Sequence, residues 1–234
     1  MDVDQGLKSI NLYDIYANIV PGIVFLFGIV LPLDFVAILR ELFGPDAQFT
    51  AGIAQLLLFI VISFVVGQIL QAFGSRFDGD HGFGSLVSDI RDESEQDRHE
   101  VTEFDDVFWE LCKDEFVLSE NFESSDRLFK AVLAYLEHSS RTRALRMQAL
   151  YLFARGMYVA SLSLCLIYIT ILVSLFYGYL PEDVTPFFRP SWVIISGIVV
   201  TGLLTYISEE TREGLESDWI KYTMTEFYLE MVEQ

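Results

Sequence analysis

Four apolar blocks, at residues 17–39, 52–73, 156–180 and 192–208, constrain this chain more than any other feature. Each is close to the ~20 residues a helix needs to cross the hydrocarbon core of a bilayer. In lipid every backbone N–H and C=O must be bonded within its own segment, so blocks of this length form helices. A soluble domain has no use for four of them. The sequence therefore reads as an all-α, polytopic membrane protein with four transmembrane helices.

The blocks divide the chain into four parts. Residues 1–73 hold an N-terminal tail and transmembrane helices 1 and 2, and residues 74–155 an acidic helical cytosolic domain. Residues 156–208 hold transmembrane helices 3 and 4, and 209–234 a C-terminal cytosolic amphipathic helix. Charge orients the arrangement. Of 15 Lys and Arg, only Arg40 and Arg189 fall in the short loops 40–51 and 181–191. Basic residues near span ends mark the cytoplasmic side, so the expectation is a multi-pass protein of the cell membrane with both termini cytoplasmic. Arg141, Arg143, Arg146 and Arg155 precede the third block and carry most of that argument. They read as snorkelling topology markers within reach of anionic lipid head groups, which makes membrane lipids the first expected partner. The first block does not read as a cleavable signal, since residues 1–16 are acidic and no small-residue cleavage site follows.

Net charge is −19, and only four of the basic residues are Lys. Excess carboxylate with scarce Lys keeps a protein hydrated in molar salt, where the Debye length falls to ~3 Å. The composition is that of a halophilic archaeal protein. It excludes nucleic acid as a partner, because that function wants a basic stripe. Residues 77–126 hold 17 acids against three bases, whereas 127–155 hold one acid against six bases. The acidic half is expected to fold against the basic half, or to leave it at the membrane.

Within the central part, Val101, Phe104, Val107, Phe108, Leu111 and Cys112 recur at helical spacing. A second helix is expected after a cap at Asp126, burying Leu128, Val132, Tyr135 and Leu136. From about residue 140 nothing but Gly156 interrupts helical pattern into the third block. After the fourth block, 209–234 contains no Pro, and Leu215, Trp219, Tyr222 and Phe227 form a stripe. That stripe is expected to pack on the cytosolic domain, a neighbouring subunit or the membrane interface.

Catalytic chemistry is thin. Asp78, Asp80 and Asp89 resemble positions 1, 3 and 12 of a calcium loop. However, Phe83 stands where the turn needs Gly, and Asp89 replaces the bidentate Glu, so the segment reads as a solvated acidic turn. His81, His99 and His138 show no zinc spacing, and Cys112 and Cys165 imply neither disulfide nor metal cage. The centres of the blocks carry no ionisable residue, which argues against a coupled transporter. The expectation is no enzyme, no cofactor and no metal.

What the blocks carry is helix-packing chemistry. Ser63 with Gly67, and Gly197 with Thr201 and Thr205, form small-residue ridges that let helices approach closely. These ridges serve either the chain's own bundle or an oligomer. Gln68 and Gln71 offer amides to a neighbouring helix. Pro21-Gly22 is expected to break the first span, with Asn18 and Tyr16 meeting the freed backbone groups.

Several of these residues recur together in a known setting. Asp14-x-Tyr16 with Pro21-Gly22, Gly67-Gln68 with Gln71-Ala72, and Arg146-x-Gln148-Ala149-Leu150-Tyr151-x-Phe153-x-Arg155 resemble uncharacterised four-span prokaryotic membrane proteins. The resemblance covers both membrane pairs and not the acidic insert. It implies kinship in layout with membrane effectors or accessory parts of antiviral defence. Two function classes follow. One is a non-enzymatic homo-oligomeric assembly, pore-like or membrane-disrupting, controlled by its cytosolic helices. The alternative is a membrane-anchored scaffold or receptor subunit that holds a cytosolic protein partner and conducts nothing.

Overall fold

The computed structural model describes residues 12–34, 53–77, 108, 111–116, 125–138, 143–181 and 184–233. Regular structure among them is helical. α1 spans Leu12–Val30, α2 Ile53–Phe77, α3 Ser125–His138, α4 Arg143–Phe176 and α5 Ser191–Glu233, with a 3-10 turn at Thr185–Phe187. Three stretches are long and apolar enough to cross a membrane, Gln55–Arg76, Arg146–Phe176 and Ser191–Val232, while Ile15–Val30 is a shorter apolar helix.

The chain forms two compact units. The first comprises Met1–Gly74 and Leu152–Glu213, the second Ser75–Tyr151 and Gly214–Gln234. α4 and α5 each supply residues to both, with no break in the helix.

In the first unit, Leu164, Tyr168 and Ile194 form a core with Val24, Phe25 and Ile29 of α1. α2 joins through Leu70, which packs with Val159 and Ala160 of α4. Its buried residues Ser63, Gly67, Leu70, Gln71 and Gly74 fall on one stripe, and most of the remaining circumference is apolar and exposed. Large exposed aliphatics on α2 and α5 suit a lipid solvent, where exposing Leu or Val costs nothing. α4 ends in a Schellman turn, with Gly178 at a positive φ of 66°, the Gly178 N–H donating to Leu175 O and that of Tyr179 to Ser174 O. After α1, Leu33 pairs with Phe188 in an isolated bridge, and Arg189 N–H donates to Pro32 O at 2.9 Å.

Two expectations about α1 are corrected. Its helix stops at Val30, short of residue 39, and chain at 35–39 lies outside the described residues. Nor does Pro21 break it: the helix runs through.

The second unit has an aromatic core. Phe227 of α5 stacks on Phe116 at 6.0 Å and meets Phe108 and Tyr135 edge-on at 5.7 and 5.6 Å. Cys112, Leu128, Val132, Leu136, Ile220 and Met224 are buried around it. Tyr151 stacks on Trp219 at 5.5 Å. The tail stripe packs on the central segment, through Phe227 on Phe116 and Trp219 on Tyr151. α3 begins at Ser125, so Asp126 lies inside its first turn. Val101, Phe104, Val107, the Asp78–Asp89 segment, His81 and His99 lie outside the described residues.

Candidate functional site

A buried polar junction joins α1, α2 and α4 in the first unit. It starts from a covalent fact: Pro21 has no N–H, so the Ala17 carbonyl one turn back has no intrahelical donor. Gln71 of α2 supplies one, its Nε2 lying 3.4 Å from Ala17 O. The same Nε2 donates to Leu152 O of α4. Gln71 Oε1 accepts a 2.9 Å hydrogen bond from Arg155 Nε. The amide thus uses both its ends across three helices, at only 8% exposure. An unbroken α1 follows physically, because the vacancy left by proline is filled from a neighbour.

Glycines admit these contacts. A Cβ on Gly156 would lie 2.7 Å from Gln71 Nε2 and 2.9 Å from Pro21 Cγ. Farther along, α1 and α2 meet backbone to backbone: a Cβ on Gly22 would overlap the Ser63 carbonyl, and one on Gly67 the Asn18 carbonyl. Gly74 is closed off by the Arg155 side chain, with Cγ at 2.9 Å.

The second ridge is also used inside the chain. Gly197 faces the Tyr168 ring, and Tyr168 Oη donates to Gly28 O at 2.5 Å. Thr205 Oγ1 donates to Ser161 Oγ at 3.1 Å, and Thr201 bonds back to Gly197 O at 2.8 Å. Ser63, Gly67, Gly197 and Thr201 are buried and Thr205 is half-buried. These ridges make contacts within a single chain.

The four arginines divide. Arg155 is half-buried in the junction, an arrangement local sequence did not reveal. Arg143 and Arg146 are exposed in the second unit, and Arg141 lies outside the described residues. Arg212 sits over the Tyr158 ring at 5.5 Å, a cation–π pair. In the second unit Glu226, missed by sequence reasoning, caps α4. Its two carboxylate oxygens accept from the backbone N–H groups of Arg143 at 3.1 Å and Ala144 at 2.9 Å. Charge complementarity to the helix N-terminus favours this contact. The available signal was an acid on the tail's apolar face, three residues after Thr223. Cys112, fully buried, has its thiol pushed up to about 12 by desolvation.

Among the described residues no three His, Cys, Asp or Glu side chains group to hold a metal ion. On α4, Ser161 is buried, whereas Thr170 is exposed and bonded to Leu166 O. What the junction can do chemically is fix helices. Comparison with family models, curated proteins and solved structures gave no match.

Proposed function

We propose that this chain is a non-enzymatic, four-span membrane anchor that holds a helical platform in the cytoplasm for a protein partner. The observation that carries this reading is the continuity of α4 and α5, whose 34 and 43 residues serve both units. From Arg155 to Tyr177, and from Trp192 to Arg212, the helical rise is about 30 Å, the thickness of the hydrocarbon core. Exposed Tyr177, Tyr179 and Trp192 at one end match an interfacial aromatic belt, with Arg155 and Arg212 at the other. α1 supports a fourth crossing, since it meets Gln71 near Ala17 and is followed by Leu33, which pairs with Phe188. The acidic composition fits a cytoplasm rich in salt.

Within one chain many polar span residues bond between helices or to their own helix backbone, so the anchor is expected to conduct nothing by itself. Purified protein in salt-loaded liposomes tests this: ion leakage is expected to equal that of empty vesicles. Leakage well above that background would overturn the anchor and favour an oligomeric, effector-like assembly. That second reading draws on one observation, an exposed amide on α2.

A further inference from the structure

The lipid-facing side of α2 carries a residue that hydrocarbon does not suit. Gln68 is exposed about 12 Å of helix rise before Arg76, among exposed Leu57, Val61, Phe64 and Ala72 on the same face. Its amide bonds to nothing among the described residues. Several hydroxyls of the spans bond to their own helix. Ser63 donates to Phe59 O, Thr170 to Leu166 O and Ser196 to Trp192 O, each one turn back. Gln71, nearly one turn on, is bonded at both ends. A carboxamide brings two donors and an acceptor, and the surrounding helix has already used its own backbone.

We propose that this face of α2 is the contact between two copies of the chain, packed about a two-fold axis with their Gln68 amides paired. A primary amide is self-complementary, and a two-fold axis brings identical residues together. Acyl chains cover the apolar part of the face but offer the amide no partner. Leu57, Val61, Phe64, Gln68 and Ala72 recur every three or four residues as one ridge, and the small Ala72 lets two helices converge beside the amides. The ridges at Ser63/Gly67 and Gly197/Thr201 are already filled within the chain, so pairing must use another surface. This goes beyond the anchor reading, which holds for one copy or two.

The test uses the full chain. Light scattering after gentle detergent extraction should give a two-chain particle for wild type. Gln68→Leu should associate about tenfold more weakly, the size of effect expected from an interhelical amide pair. Gln68→Asn, which keeps a shortened amide, should fall between. Helicity by circular dichroism should be the same for all three. In membranes, Gln68→Cys introduced with Cys112→Ala and Cys165→Ala should cross-link to a dimer on oxidation, about tenfold more than Ile62→Cys on another exposed side. A monomeric wild type without preferential cross-linking overturns the proposal. So does a dimer that Gln68→Leu leaves intact, a particle of more than two chains, or an unlike protein on this face. None of these outcomes bears on liposome leakage by a single chain.

Discussion

Pro21 and Gln71 act as one unit although they lie on different helices. Proline in a helix interior costs about 3 kcal/mol, partly through the lost hydrogen bond, and Gln71 returns a donor to the carbonyl that loses it. Gln71→Leu should therefore lower stability by about 1–3 kcal/mol, the cost of leaving buried polar groups unmade. In a Pro21→Ala background the helix supplies its own N–H to Ala17 O, so the same substitution should cost less by about 0.5–1 kcal/mol. Denaturation of all four variants in one detergent checks this, and equal costs in both backgrounds would break the link. Cys112 offers a second residue-scale test. Burial raises its thiol from an ordinary value near 9.0 to about 12, so the native state holds the proton more tightly than the unfolded one. Stability from this group is full below pH 9 and falls as pH rises from 9 towards 12. Cys112 should resist a thiol reagent at pH 8 until denaturant is added. Rapid labelling of the native protein would show that the aromatic core opens readily.

Among the elements, α4 and α5 were legible because nothing in 157–176 or 191–233 stops a helix, and periodicity reports that locally. Partners were less legible. Gln71 read as an interhelical amide and Arg155 as a lipid contact, yet they bond to each other across 84 positions. A local pattern gives residue type and face, and not which distant helix arrives. The small-residue ridges likewise announced close approach without saying to what. Pro21 misled for the same reason, since a break is the local outcome and Gln71 is a tertiary one. Glu226 is the element-scale case in the second unit, where it closes the start of α4 from the tail helix. Glu226→Ala should lower the stability of that unit by about 1–2 kcal/mol, and Glu226→Gln by less, since one acceptor remains. Hydrogen exchange at the first amides of α4 reads it directly. Unchanged protection in Glu226→Ala would mean that another group bonds them.

For the whole molecule, the partition of Lys and Arg predicts sidedness. Single cysteines at Asp46 and Glu182, in an otherwise cysteine-free chain, should label from outside intact cells, and one at Glu95 should not. Labelling at all three sites, or at Glu95 alone, would rule out four crossings with both ends inside. The second unit also carries a consequence for how the protein is made. Phe108, Phe116 and Tyr135 leave the ribosome well before Phe227, their common ring partner, and both α4 and most of α5 are synthesised in between. Completion of that cluster must therefore wait until the end of α5 has been made. On the topology proposed above, the nascent insert until then stands in the cytoplasm with its apolar face uncovered, a substrate for chaperones. Closure of the aromatic core then marks the completion of α5, the last helix of the chain described.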